Sequence, residues 1–345
     1  MIRPIHGLAR PFIERRRIAI SILATAILTT ACSGQVPTPS VSPTAASRPS
    51  VSPTTAVLPS PTTSPAELPG GRLVYAQWIH GEVGSLFTTN PDGTDTTPLL
   101  PVGNPHRWSP DGRHISVVAE NSDGRLFVGL IDPDGSHYVQ FDSPDPTLDL
   151  GCFAWSPDGS RLACEGWDDT DLTRNGMYTV RASDWGDLVR VTTCPNSCHD
   201  IPTDYSPDGA QIVFTRQRLP DEADTTLMVV NVDGSGARAL TDRKIGGGRL
   251  SPDGKTILTD SKGSLLLMPI DGGEIKAIEI VSDGGPDTAL SASWSPDGEW
   301  IVFSGRASKS FDLYIVRVDG THLHQVTDTP IGKYEDAADW TAAAP

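Results

Sequence analysis

The tetrapeptide Ser-Pro-Asp-Gly occurs five times in this chain of 345 residues, and its regular spacing is the strongest constraint on the fold. Successive copies begin 47, 50, 45 and 44 residues apart. Ser suits the first position of a turn, Pro presets φ for the second, and Gly accepts a positive φ at the end. Each copy therefore predicts a tight β-hairpin turn, and the near-constant period predicts a repeat architecture. The copies occupy residues 109–112, 156–159, 206–209, 251–254 and 295–298.

Short β-strand patterns surround each of these turns. An aromatic residue precedes four of the five copies, and an alternating strand follows each copy, as at Ile212–Thr215. A third strand and a second Gly turn come next, as at Leu227–Asn231 and residues 232–234, and a short fourth strand such as Ala239–Thr241 closes the repeat. Four short antiparallel strands per repeat predict an all-β fold made of propeller blades.

The two ends of the pattern predict how the repeat array closes. Arg72–Gln77, Leu86–Asn90 and Thr97–Leu100 supply only the second to fourth strands of a blade, whereas Asp336–Trp340 matches a first strand. We therefore predict a six-bladed β-propeller over residues 71–341, in which the C-terminal strand completes the first blade. Such closure removes the exposed edges of the array.

The cysteines on either side of the second turn predict a cross-strand disulfide. If residues 157–159 form the hairpin loop, Ser156 faces Ser160, and Cys152 then faces Cys164 on the opposite strand. An even number of cysteines, once Cys32 is set aside, is typical of disulfides in an exported protein.

Cys194 and Cys198 predict a second disulfide that closes a small loop. The alternative is a metal site with His199 as a further ligand. A disulfide is favoured because no second clustered pair supplies the remaining ligands of a zinc ion.

Residues 1–31 have the three-part order of a secretory signal: a basic segment, an apolar run and a small residue before Cys32. The apolar run is shorter than the roughly 20 residues that span a bilayer, so a cleaved signal is favoured over a short membrane anchor. Leu28–Cys32 resembles the bacterial lipobox, although Thr29 stands where Leu is usual. The resemblance implies that Cys32 is acylated and becomes the mature N-terminus.

Residues 32–70 are rich in Pro, Ser and Thr, which bury little apolar surface, so we predict a disordered tether between the lipid anchor and the folded domain.

Net charge restricts the partners of that domain. The whole chain carries −16, and because residues 1–31 hold five basic residues and one acidic residue, the remainder carries −20. Such an acidic body argues against nucleic-acid binding. We expect a monomer that meets the membrane only through its anchor.

The Trp-Ser-Pro-Asp-Gly copies and the Asp-Gly turns that follow them resemble the WD40-like PD40 repeat of the TolB propeller family. The resemblance covers residues 71–340 and implies an exported protein that works through contacts at a propeller face or at its central opening. We expect no counterpart of the separate N-terminal α/β domain of TolB in residues 35–69, since their composition matches only a tether.

The functional face is expected where loops differ between repeats. The Ser-Pro-Asp-Gly and Asp-Gly turns are short and uniform, whereas the loops between second and third strands and the connections between blades are long and unlike one another. We therefore predict that this variable loop face binds a protein or a cell-wall polymer. The candidate binding residues there are Trp78, His80, Trp167, Asp169, Asp200, Arg216, Arg306 and Asp336.

An enzymatic function and a bound ion are the alternatives to be considered. No Gly-x-Ser-x-Gly elbow occurs, so no α/β-hydrolase chemistry is predicted, but a hydrolase or lyase in a central pocket that uses His80, His106 or His199 is an alternative. No cofactor is predicted, since no compact carboxylate motif occurs. The alternative is a Ca²⁺ ion bound at the channel mouth by acidic residues that precede first strands.

Overall fold

The computed structural model describes residues 68–79, 84–100, 104–120, 126–194, 198–219, 224–245, 247–281, 285–307 and 310–342. Within these ranges the chain is β-strand and turn, with one 3-10 turn at Leu172–Arg174. No helix in this part of the chain is long and apolar enough to cross a membrane. The expected signal peptide, Cys32, His80 and the tether up to residue 67 lie outside the described residues.

The strands follow one another in units that match the repeat. Unit 1 contains β1 (Arg72–Ile79), β2 (Ser85–Thr89) and β3 (Thr97–Pro98). Unit 2 contains β4 (Asn104–Trp108), β5 (Ile115–Glu120), β6 (Leu126–Ile131) and β7 (Val139–Phe141). Unit 3 contains β8 (Asp149–Trp155), β9 (Arg161–Trp167), β10 (Gly176–Arg181) and β11 (Val189–Arg190).

The remaining strands continue the same order. Unit 4 contains β12 (Cys198–Tyr205), β13 (Gln211–Arg218), β14 (Thr225–Asn231) and β15 (Arg238–Ala239). Unit 5 contains β16 (Arg249–Leu250), β17 (Thr256–Ser261), β18 (Ser264–Pro269) and β19 (Lys276–Ala277). Unit 6 contains β20 (Thr288–Trp294), β21 (Trp300–Arg306), β22 (Phe311–Arg317) and β23 (His324–Gln325), and β24 (Lys333–Thr341) follows it.

The sheets confirm the predicted all-β fold of four-stranded antiparallel units. Units 2 to 5 each form a separate four-stranded sheet. β24 pairs antiparallel with β1, from Arg72 opposite Thr341 to Ile79 opposite Lys333. One parallel bridge between Phe311 and Tyr334 joins β22 to β24, so units 6 and 1 belong to one sheet. The last strand is longer than the predicted Asp336–Trp340 because it begins at Lys333.

Apolar side chains hold neighbouring units together. Each of the six clusters of buried hydrophobic residues in the described part of the chain combines strands of two adjacent units. Met177 of unit 3 and Phe214 of unit 4, both fully buried, share one such cluster. The strands nearest the centre also contact one another in order. β4 contacts β8, β8 contacts β12, β12 contacts β16, β16 contacts β20, β20 contacts β24, and β24 contacts β4. Burial between sheets is therefore the main source of stability.

Side-chain hydrogen bonds build the Ser-Pro-Asp-Gly turns. In the second copy Ser156 Oγ donates to Asp158 at 2.6 Å and accepts from the backbone N–H of Arg161 at 2.9 Å. The N–H of Gly159 donates to the carbonyl of Ser156, and Gly159 has a φ of +70°. The Ser156 hydroxyl lowers the pKa of Asp158 to about 2. The same bonds recur in the other copies, which explains why this tetrapeptide repeats.

The structure confirms both predicted disulfides, Cys152 with Cys164 and Cys194 with Cys198. The predicted turn register is wrong, however: the N–H of Ser156 bonds to the carbonyl of Arg161, so Ser156 does not face Ser160. A β-bulge between Cys152 and Ala154 shifts the register back by one residue. The shift in the turn and the shift at the bulge cancel. Cys152 and Cys164 are therefore opposite each other, with Cα atoms 3.8 Å apart.

Candidate functional site

A cavity of about 340 Å³ lies at the end of the molecule that carries the Ser-Pro-Asp-Gly turns, and we call it the turn-end cavity. Residues immediately before the turns form its wall, and turn prolines such as Pro110 and Pro252 also line it. Five aromatic rings, from units 2, 3, 4 and 6 and from β24, line the wall: Trp108, Trp155, Tyr205, Trp294 and Trp340. These rings also belong to the buried clusters between units.

Four charged side chains line the same cavity: Arg107, Asp204, Arg249 and Asp339. Arg107 reaches across the centre of the molecule. Its Nε donates to the carbonyl of Phe153 at 2.9 Å, and its Nη2 donates to the carbonyl of Thr203. Its Nη1 lies 3.7 Å from Asp339 Oδ1. One guanidinium thus links units 2, 3 and 4 with β24.

Asp339 is the acceptor at the centre of this network. Arg249 of unit 5 donates to its Oδ1, and the backbone N–H of Trp108 donates to its Oδ2 at 2.9 Å. Trp294 Nε1 of unit 6 donates to the carbonyl of Arg249 at 2.9 Å. Desolvation raises the pKa of Asp339, and Arg107 opposes that rise.

Asp204 has a different environment. Among the described residues only backbone N–H groups donate hydrogen bonds to its carboxylate, including that of Leu250 at 3.2 Å. Desolvation raises the pKa of Asp204 to about 6; Arg107 opposes this rise and Asp339 adds to it. The cavity therefore contains one carboxylate without a side-chain hydrogen-bond partner.

Our sequence reasoning did not identify these four residues, although the repeat contains a signal. All four occupy one equivalent position, directly before the residue that precedes the turn. The six residues at this position are Arg107, Ala154, Asp204, Arg249, Ser293 and Asp339. Uniform turns predict a face without function, whereas the residues that vary between repeats lie one strand position further in.

The loop face brings Trp167 and Asp169 together with His199. The rings of Trp167 and His199 stack with centroids 4.2 Å apart and an interplanar angle of 8°. Trp167 Nε1 donates to Asp169, and His199 Nδ1 contacts Glu165. The Cys194–Cys198 disulfide immediately precedes His199 and restrains the start of β12.

Asp200 and Arg216 are also brought together, but mainly by each other. Arg216 Nε and Nη2 donate to the two carboxylate oxygens of Asp200 at 2.7 and 2.6 Å, and Thr192 Oγ1 donates to the same carboxylate. Asp200 is fully buried, so it cannot meet a partner directly. Arg216 retains partial exposure, with about one fifth of its side chain accessible.

Trp78 and Arg306 lie in a second group, where units 6 and 1 meet. The rings of Trp78 and Tyr334 stack with centroids 6.3 Å apart, and Tyr334 pairs with Phe311 of β22 in the sheet. The Arg306 guanidinium lies 5.8 Å from the centroid of the Phe311 ring. Arg306 also contacts Asp287 at 3.2 Å. Six of the predicted residues therefore form two groups, one in units 3 and 4 and one in units 6 and 1. Asp336, on β24, lies opposite Ala76 of β1, and His80 lies outside the described residues.

Metal-ligand chemistry has little support in the described part of the chain. No group of three or more His, Cys, Asp and Glu side chains there is arranged to hold a metal ion. The alternative of a metal at Cys194, Cys198 and His199 is wrong, because the two sulfur atoms are bonded to each other.

Asp260, at the end of β17, carries a prediction for the pH dependence of stability. It accepts a hydrogen bond from the N–H of Ser291 at 3.2 Å, and burial raises its pKa to about 7, with a further contribution from Asp336. Because the pKa of Asp260 in the folded state exceeds the unfolded value of about 3.9, the protonated carboxyl favours the folded state. Its contribution to the free energy of unfolding is fully present at about pH 4 and is lost as pH rises through 7. Asp260→Asn should therefore be more stable than the wild type by about 2–4 kcal/mol at pH 8, and nearly equal to it at pH 4.

Urea unfolding of both proteins at intervals from pH 4 to 8 measures this difference. Asp242→Asn, at an exposed carboxyl, serves as the control and should follow the wild type at every pH. A gap between Asp260→Asn and the wild type that stays constant with pH contradicts the assignment.

Comparison with known proteins agrees with this architecture. The family model of the TolB beta propeller domain, PD40, matches residues 72–343. An uncharacterized protein of Agrobacterium fabrum is 26% identical over 228 residues, which cover 62% of this chain and 73% of that protein. An uncharacterized peptidase of Bacillus subtilis is 29% identical over 238 residues, which cover 64% of this chain and 33% of the peptidase. The crystal structure of TolB from Acinetobacter baumannii superposes with a TM-score of 0.59 at 19% identity, covering 79% of this chain and 68% of that one.

Proposed function

Because this chain belongs to the TolB β-propeller family, we propose that it is an envelope-anchored binding propeller that engages a protein or a cell-wall polymer through its loop face and central opening. The Trp167–His199 stack is the observation that carries this proposal. Aromatic and arginine side chains are the commonest anchors of binding surfaces, and here a planar pair is held rigidly on the loop face.

The proposed propeller has six blades, and β24 completes the first. The antiparallel pairing of β24 with β1 supports this closure. The order of contacts among the central strands, from β4 to β24 and back to β4, supports the count of six. A closed ring leaves only short outer edges, which protects the protein from edge-to-edge association; we propose that it is a monomer.

The proposed location is outside the cytoplasm. Two disulfides in the described residues support an oxidising compartment, either periplasmic or extracellular. We propose that residues 1–31 direct export, that Cys32 carries the lipid and that residues 32–70 hold the propeller away from the membrane. The lipobox-like residues before Cys32 and the tether composition after it support this arrangement.

The charged groups of the loop face favour recognition over catalysis. Arg174 contacts Asp145 and Asp168, and Arg216 is held by Asp200. Since these cations are neutralised by neighbouring carboxylates, they form a rigid polar surface around the aromatic stack. A partner can then use the stack as its central contact and this surface as the rim.

Trp167→Ala should weaken binding of the partner at least about tenfold, because it removes the ring on which His199 stacks. Captures from envelope extract and a glycan array, both with the full exported protein, identify the partner, and titration with that partner measures the affinity. Tyr138→Ala, which removes an exposed aromatic side chain outside the loop face, is the matched control and should bind normally. Failure of the wild type to bind any envelope protein or glycan counts against the proposal, as does full binding by a folded Trp167→Ala variant.

The alternative is a hydrolase or lyase, and one contact favours it. His199 Nδ1 is held by Glu165, an arrangement that can orient an imidazole as a general base. Activity assays with esters, lactones, glycosides and peptides test this alternative. Any activity that persists in His199→Ala excludes His199 as its base, whereas activity lost in that variant and retained in Tyr138→Ala supports an enzyme.

A further inference from the structure

The turn-end cavity lies at the opposite end of the units from the loop-face residues, and the Trp167–His199 stack that carries the proposed function is not part of its lining. Its volume of about 340 Å³ is at the small end of the range for ligand sites. It can therefore hold a small molecule or the tip of a single side chain. We call its four charged side chains, Arg107, Asp204, Arg249 and Asp339, the floor of the cavity. The aromatic wall and the charged floor differ in chemistry, and together they restrict what that occupant can be.

The wall is aromatic. At the position before the turn, units 2, 3, 4 and 6 and β24 each contribute one ring, whereas unit 5 contributes the aliphatic side chain of Leu250. Trp is the residue whose ring attracts a cation most strongly, and Tyr also does so. Four tryptophans and one tyrosine around one small cavity are thus suited to a cation with apolar substituents.

The arginines of the floor are already occupied. Arg107 donates to two backbone carbonyls and faces Asp339, and Arg249 donates to Asp339. Arg249 Nη1 has no acceptor among the described residues, but this atom is closed to solvent, so a molecule in the cavity cannot reach it. Arg107 Nη1, which lies 3.7 Å from Asp339, is already opposed by that carboxylate, so an anion entering the cavity would compete with Asp339 for it.

Asp204 is the group that remains available. It lines the cavity, and within the described residues only backbone N–H groups donate to it. Arg107 and Arg249 balance Asp339 and Asp204 in charge, while the chain beyond residue 31 carries −20. The long-range field of the protein therefore favours entry of a cation.

We propose that the turn-end cavity binds an alkylammonium group, with the aromatic wall around the alkyl substituents and the Asp204 carboxylate as counter-ion. The same chemistry is present in a quaternary amine and in the tip of a lysine side chain. This site does not depend on the loop-face site, so either can fail without the other.

Calorimetric titration of the exported protein with tetramethylammonium and butylammonium chlorides tests the site and distinguishes its two sources. Saturable binding of at least one of them is expected, with the tighter probe showing whether a quaternary or a primary amine fits. tert-Butanol, a neutral molecule of similar shape to tetramethylammonium, and acetate should not saturate. Equal binding of tert-butanol, or binding of acetate in place of both cations, overturns the proposal.

Asp204→Asn should weaken binding of the preferred cation at least about tenfold, because the amide carries no charge. Asp242→Asn, an exposed carboxyl elsewhere, is the matched control and should bind like the wild type. Trp155→Phe provides a second variant in case Asp204→Asn does not fold, and should weaken binding several-fold because Phe attracts cations less than Trp. Unchanged affinity in a folded Asp204→Asn, or in Trp155→Phe, overturns the proposal.

The pH profile supplies an independent readout. The groups that face Asp204 are Arg107 from β4, Arg249 from β16 and Asp339 from β24. Because the pKa of Asp204 is raised to about 6, cation binding should fall as pH drops from 7 to 5, when the carboxylate becomes protonated. Binding by the wild type that is independent of pH across this range overturns the role of Asp204.

Discussion

Replacing Arg107 with alanine should lower the free energy of unfolding by about 3–5 kcal/mol, the cost expected when one partner of a buried ion pair is removed. Arg107 donates to the carbonyls of Phe153 and Thr203 and faces Asp339, so its loss leaves two carbonyls without their donor and removes one of the two guanidinium groups that face the Asp339 carboxylate. Only about 15% of its side chain is exposed, so water replaces those bonds poorly. Urea unfolding at pH 7 measures the change.

Arg113→Ala is the matched control for this prediction. Arg113 lies in the neighbouring turn, is 81% exposed and approaches Asp111 only at 3.9 Å. Its removal should change stability by less than about 1 kcal/mol. If Arg107→Ala is as stable as Arg113→Ala, the central network does not hold the units together.

Gly320→Ala should destabilise the protein by about 3 kcal/mol or more, because it combines backbone strain with a collision between units. Gly320 has a φ of +84°, a region that costs a non-Gly residue about 1–2 kcal/mol. A Cβ atom there would lie 2.0 Å from the carbonyl oxygen of Glu279, which is backbone of the preceding unit. Relieving that overlap requires the two units to move apart, at a further cost of about 1–3 kcal/mol.

Gly272→Ala separates the two contributions. Gly272 occupies the corresponding turn of unit 5 and has a φ of +88°, but a Cβ atom there would meet nothing within 4 Å. This variant should cost only the backbone term of about 1–2 kcal/mol. Thermal or urea unfolding of both variants gives the comparison. Equal losses would falsify the close approach between the Gly320 turn and unit 5.

The disulfide at Cys152 and Cys164 illustrates how far local sequence reasoning reaches. The predicted pairing is confirmed, but the assumed turn register is wrong by one residue and a bulge at Phe153 restores it. Turn chemistry is readable because it acts within five residues. The bulge cannot be read from the local sequence, because it depends on how β8 meets the central strands of neighbouring units. At the bulge, the carbonyl of Phe153 accepts a hydrogen bond from Arg107 of β4.

The loop-face candidates show a similar division. Trp167 and Asp169 are two residues apart, so sequence alone could expect them to be neighbours. Asp200 was expected to face a ligand, whereas the structure buries it beneath Arg216. Charge and loop length identify polar residues near a face, but which of them turn inward depends on the partners that packing supplies.

The sequence by itself determined the repeat, the turns, the order of strands and both disulfides, because each depends on contacts between residues close in the chain. The Ser-Pro-Asp-Gly turn needs only its own hydroxyl, carboxylate and glycine to form. The tertiary structure alone decided what lies beneath those turns. Each charged residue of the cavity is an ordinary residue in its own strand, and successive members of the set are 45 to 97 residues apart in the chain: Arg107, Asp204, Arg249 and Asp339. They become a charged cavity floor only because the units pack around one centre, where low solvent exposure strengthens their mutual attraction and raises the pKa of Asp204 and of Asp339.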